Sequence, residues 1–202
     1  MNFFKRLFGS KNDDESAENT AGQSPYLPAP SLPIDEQFTF NFKKNGGKFL
    51  YCEDMHEIYE HFENIMLEND WYETEVLCFN PELFPILEHN NFNFQNIKKP
   101  TFVFSTCESL IADEGSILFS SNQFKALKIN ELPDNMIVFA TTSQLKPQKR
   151  EGMSEINRKY HPNFPSNITT LRNFEVNSQA HANSLQYSTA PKNLYLLLLE
   201  DL

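Results

Sequence analysis

Two short stretches carry most of the side chains that could do chemistry. In the first, Thr101–Gln123, Cys107 and Glu108 follow an apolar run, and Asp113, Glu114 and Gly115 separate two further runs, Leu110-Ile111 and Ile117–Phe119. Three residues ending in Gly predict a hairpin whose third loop position has φ > 0, which only Gly adopts cheaply. A carboxylate at such a turn can be exposed and aimed, although Asp and Glu also serve there simply as turn residues. In the second stretch, Thr141, Thr142, Ser143 and Gln144 end the apolar run Met136–Thr142. In open α/β sheets, ligands bind outside the C-terminal ends of the strands. Glu108, Asp113, Glu114, Ser116, Thr142, Ser143 and Gln144 are therefore expected to line one polar pocket. Cys107 has no His or Arg nearby in sequence to lower its pKa and reads as a small buried hydrophobe.

The elements that must position these residues follow from periodicity. Lys48–Glu53 reads as a strand. Asp54 then caps a helix with Glu57 three residues on, and Ile58, Tyr59, Phe62, Ile65 and Met66 form its inward stripe. Glu75–Asn80 is a second strand, and Pro81 opens a helix to about Asn90. Thr101–Thr106 and Met136–Thr142 are buried strands, Gln148–Tyr160 a helix, and Ile168–Leu171 and Leu194–Leu199 the last strands. Alternating strands and helices predict a parallel sheet with helices on both faces. Residues 1–33 read as a tail and linker, because 10–33 is rich in Ser, Asn, Asp, Glu and Pro with little to bury. Residues 34–202 form the α/β domain.

Composition narrows the function classes. The net charge is −10 and the pI about 5.0, which argues against nucleic-acid binding. Hydrophobic content of 40% with 19 Phe suffices for a core. Three Cys outside any metal-ligand spacing, and no signal peptide, point to a reduced cytoplasmic setting. His56 and Glu60 stand one helical turn apart, but no third ligand accompanies them, so no metal site is expected. No G-x-G-x-x-G follows a strand, and no nicotinamide site is expected. Phe3, Phe4, Leu7 and Phe8 could line a short helix, too weak an anchor for membrane contact by the tail to be expected.

CESLIADEGSILFSSNQ followed by ELPDNMIVFATTSQL resembles the LUD domain family of lactate-utilization proteins. Cys107, Glu108, Ala112, Gly115, Ser116, Ser120 and Ser121 match the family's first motif, and Thr142, Ser143 and Gln144 its second. The resemblance spans roughly Asp35–Leu202. It implies a three-layer α/β/α sandwich with a mainly parallel sheet, as in ribose-5-phosphate isomerases, glucosamine-6-phosphate deaminases and CoA transferases. It implies an accessory role in oxidising L-lactate to pyruvate, alongside iron–sulfur subunits, with a small carboxylate or an unidentified cofactor bound near Glu108, Asp113, Gly115, Ser116 and Thr142–Gln144. Two alternatives are a CoA-transferase or sugar-phosphate-isomerase type of enzyme, with Glu114 as catalytic nucleophile or base, and a binding or regulatory module that kept the fold without catalysis. The family's T-A-D-I-E and G-x-H-G-P segment departs here: its acidic pair falls on Gln179 and His181, and its His on Thr189.

Overall fold

The computed structural model describes residues 32–95, 97–174 and 191–201. The expectations for the tail and for Asn177–Pro191 lie almost entirely outside these residues. The central sheet is built from β1 (Lys48–Cys52), β2 (Val76–Leu77), β3 (Phe102–Ser105), β6 (Asn135–Thr141) and β9 (Asn193–Leu199). All its pairings are parallel, in the order β1-β9-β6-β3-β2. β6 and β9 are near-continuous apolar runs because both their faces are covered, as a parallel sheet requires.

Alternation along the strands divides the core in two. Phe102, Phe104, Ile137, Tyr195 and Leu197 face α2 (Met55–Asn69) and α3 (Phe84–His89). There Phe62 lies against Phe104 with ring centroids 5.1 Å apart, and Trp71 stacks on Phe102. Val103, Met136, Val138 and Leu196 face the other way, toward Phe38 and Phe42 of α1 (Ile34–Lys44). The mainly parallel sheet is thus flanked by helices, as the sequence implied.

A second, four-stranded sheet was not foreseen. It comprises β4 (Ser109–Ile111), β5 (Ser116–Phe119), β7 (Leu145–Lys146) and β8 (Thr169–Leu171), in the order β7-β4-β5-β8. Its Leu110, Ile117, Phe119 and Leu171 join the core beside α1. Its Ile111 and Leu118 pack outward on Ile156 of α5 (Lys149–Tyr160). Gly152 permits this approach: a Cβ there would stand 3.1 Å from both Ile111 and Leu118. The expected strand Glu75–Asn80 shrinks to Val76–Leu77. Glu75 instead makes a parallel bridge to Asn93, and the Glu75 carboxylate accepts from the Lys98 and Lys99 backbone N–H groups.

The helix that crosses the full sheet from β1 to β2 starts as its sequence predicts. Asp54 accepts from Glu57 N at 3.0 Å, and the Glu57 carboxylate accepts from Glu53 N at 2.7 Å. Asp54→Ala is expected to cost about 1 kcal/mol, read as a shift in the denaturant midpoint at unchanged slope. An unaltered midpoint would mean that solvent caps α2 equally well.

Candidate functional site

Parallel pairing brings the C-terminal ends of β2, β3, β6 and β9 to one edge. A polar pocket of about 350 Å³ opens there, lined by Asn80 beyond β2, Thr106 beyond β3, Thr141 of β6, Gln123, and Lys159 and Tyr160 of α5. Asn122 and Gln123 belong to α4 (Ser121–Phe124), whose capping box has Gln123 Oε1 accepting from Ser120 N at 2.8 Å.

Hydrogen-bond direction fixes what this pocket presents. Backbone N–H groups only donate, so each side-chain amide atom they reach must be the oxygen. Asn80 Oδ1 lies 3.5 Å from Thr106 N and 3.3 Å from Ser105 Oγ, whose single proton is shared with Thr106 O at 3.0 Å. Gln123 Oε1 is held by Ser120 N. The NH2 groups of both residues therefore remain. Among the described residues neither Asn80 Nδ2 nor Gln123 Nε2 has a hydrogen-bond partner, although the two side chains belong to residues only 8% and 5% exposed. Neither nitrogen is among the fully buried polar atoms that lack a partner, so both NH2 groups open onto the cavity and are free to meet an acceptor there.

Charge at the rim comes from Lys159 and Glu82, both exposed. The Lys159 ammonium lies 5.0 Å from the centroid of the Tyr160 ring. Hydrogen bonding to Tyr160 holds it above the usual lysine range; burial opposes this, and Tyr160, Glu108 and Glu155 add their charge. Glu108 sits behind this wall and accepts from Ser120 Oγ at 2.5 Å, Asn122 Nδ2 at 3.1 Å and Tyr160 Oη at 3.0 Å. These bonds tie the start of β4 to α4 and α5.

The residues expected to share one pocket fall into three groups. Glu108 backs the pocket. Gln144 lines it, but its amide is spent: Oε1 accepts from Thr141 N at 2.8 Å, and Nε2 donates to Cys107 O at 2.7 Å and approaches Cys107 Sγ. Thr142 and Ser143 turn to Asp201, whose carboxylate accepts from Thr142 Oγ1 and Ser143 N, each at 2.8 Å, and from Ser143 Oγ at 2.7 Å. Asp113, Glu114, Gly115 and Ser116 stand at the opposite end of the β4–β5 hairpin, on the order of 15 Å of extended chain from Glu108. There Ser116 Oγ donates to Glu114 Oε2 at 3.0 Å. The turn is held by α1: Asn41 Nδ2 donates to Ala112 O and Asp113 O, and Asn45 Nδ2 to Glu114 O and Gly115 O. A single contiguous pocket of all seven residues does not form, because the hairpin strands lead the D-E-G turn away from the sheet edge.

Cys107 is buried, and burial pushes its thiol far above the ordinary range, with Glu108 adding and Lys159 opposing. Burial likewise raises Cys78 to about 11 and Cys52 to about 12. His56 and Glu60 pair at 3.5 Å on the exposed face of α2.

Asp201 was not foreseen. Burial pushes its carboxyl up, but the bonds from Ser143, Thr142 and Thr141 outweigh that and hold it below the usual range. A carboxyl depressed in the folded state stabilises fully above its unfolded pKa, and the contribution is lost as pH falls through the folded value. Asp201→Asn is therefore expected to lower the melting temperature at neutral pH. The gap should close well below the ordinary aspartate pKa of about 3.9. A gap independent of pH would show that charge at this position contributes nothing.

No family model matches the chain. No curated protein gives a significant match. Among solved structures, the chain is similar to the crystal structure of a DUF162 family protein from Deinococcus radiodurans. The TM-score is 0.59 at 14% identity, over 83% of this chain and 96% of that one. The two chains share a fold. No helix among the described residues is long and apolar enough to cross a membrane.

Proposed function

We propose that this chain is a LUD-type accessory protein of L-lactate utilization that binds a small carboxylate at the sheet-edge pocket. Two observations support the family part: the Cys107–Ser121 and Thr142–Gln144 motifs, and the likeness to a DUF162 protein, DUF162 being the LUD domain family. The ligand part is carried by the unspent amide donors of Asn80 and Gln123, with the Lys159 ammonium beside them. Convergent donors in a concavity select an anion, and hydrogen bonds to a charged acceptor are the strong kind. In this reading Asn80, Gln123 and Lys159 hold the ligand. Gln144 lines the wall with Glu108 behind it, Thr142 and Ser143 hold Asp201, and the turn at Asp113, Glu114, Gly115 and Ser116 locks α1 to the hairpin. Residues 34–202 act as a cytoplasmic binding domain, and iron–sulfur oxidoreductase subunits are its partners.

A thermal-shift series tests the ligand, since whatever prefers the folded state raises apparent stability. L-lactate, pyruvate and related small acids should raise the melting temperature in proportion to the logarithm of their concentration, and sugar phosphates and CoA esters should not. No shift with any carboxylate would mean that the pocket is not a carboxylate site. Co-purification of an iron–sulfur subunit with the tagged chain tests the partner, and its absence from a lactate-grown culture would leave the binding module alone.

A further inference from the structure

The direction of one hydrogen-bond chain at the pocket wall sets which anions fit, given the anion-binding reading above. Ser143 Oγ donates its single proton to Asp201 Oδ2 at 2.7 Å. An ionised carboxylate only accepts, so that proton is committed. Thr141 Oγ1 and Ser143 Oγ stand 2.9 Å apart, so the Thr141 proton goes to Ser143 or directly to the Asp201 carboxylate, and Ser143 does not donate back. Thr141 also lines the pocket. With its proton drawn toward the Asp201 side, its hydroxyl has only lone pairs left for a ligand. The pocket therefore has two characters. The β2 side, through Asn80 and Gln123, offers donors, and the β6 side, through Thr141, offers an acceptor. Strand β3 lies between β2 and β6, a separation of about 10 Å before side chains reach inward.

We propose that the pocket takes a carboxylate that also bears a hydrogen-bond donor, a hydroxy or amino acid, and that Asp201 is the positioning residue that imposes this choice through Ser143 and Thr141. An oxo acid would bring a carbonyl oxygen against the Thr141 lone pairs, and an unsubstituted acid would leave them unmet. Leaving a polar group of a site unpaired is the more effective route to discrimination. Glu82 at the rim adds a carboxylate for an ammonium.

The test is titration calorimetry on the full chain with three- and four-carbon acids in matched hydroxy, amino, oxo and unsubstituted forms. Wild type should bind the hydroxy or amino member roughly tenfold more tightly than the oxo and unsubstituted members, the worth of one hydrogen bond. Asp201→Ala should bring that preference to within about twofold while leaving affinity for the unsubstituted acid unchanged. A role in folding alone would weaken all four alike. Should Asp201→Ala not fold, Ser143→Ala, which removes one exposed oxygen, must reduce the preference in the same way. If no acid binds to wild type, the pocket reading itself fails. If all members bind equally, the pocket stands and the Asp201 inference falls. A preference that survives both substitutions also overturns it.

Discussion

Gly115→Ala should destabilise the domain by about 3 kcal/mol, and Gly115→Val by more. Two independent effects add. Gly115 has φ of +60°, a conformation that costs an L-residue of order 1–3 kcal/mol. A Cβ there would also run into the backbone of Asn41 and Phe42 in α1, which cannot rotate aside. Overpacking of that kind costs a further 1–3 kcal/mol or so. The turn cannot retreat, because Asn41 and Asn45 grip the carbonyls on both sides of it. Chemical denaturation gives the number. A Gly115→Ala variant within about 0.5 kcal/mol of wild type would mean that the D-E-G turn does not seat on α1.

Asn80→Asp should lower carboxylate affinity roughly a hundredfold while leaving the fold intact. The exchange is nearly isosteric. One carboxylate oxygen still faces Thr106 N and Ser105 Oγ. The other takes the place of the free NH2, so a donor to the ligand becomes a like charge. Gln123→Glu makes the same exchange on α4, with Ser120 N keeping its acceptor. Titration of each variant at pH 7 and in acid separates charge from shape: part of the lost affinity should return where the new carboxyl is protonated. Affinity equal to wild type at pH 7 would remove these amides from the site.

The sheet was legible because its strands are long apolar runs whose two faces are both buried. Met136–Thr142 could be read as a central strand and Leu194–Leu199 as a buried one, and both lie inside the sheet. The cap at Asp54, the inward stripe of α2 and the Gly115 turn were equally legible, since each is a local pattern. The small sheet was not. Its hairpin and Ile168–Leu171 could be read singly, but β7 is only two residues long, and nothing local states that β7 and β8 pair with the edges of β4 and β5. The polar pocket was half legible. The rule that ligands meet the C-terminal ends of strands led to Thr142–Gln144, yet applied to every strand it also leads to Asn80, just past β2. Gln123 carried a signal too, as the last residue of Ser-x-x-Gln, although that pattern announces a capping box and not the NH2 left over once the box is made. Lys159 and Tyr160 lie at the end of a helix and reach the site only through tertiary packing. The turn carboxylates misled in placement for a physical reason: a hairpin carries its turn away from the edge where it starts, and sequence does not state its direction.

The proposed ligand site is one place, the donor-lined pocket at the ends of β2, β3 and β6. A crystal structure of the chain with its tightest-binding carboxylate tests that place most directly. The ligand carboxylate is expected within about 3 Å of Asn80 Nδ2 and Gln123 Nε2, the distance of an N–H···O bond. Density for the acid at the Asp113–Ser116 turn, or anywhere that leaves both amides facing water, would contradict it.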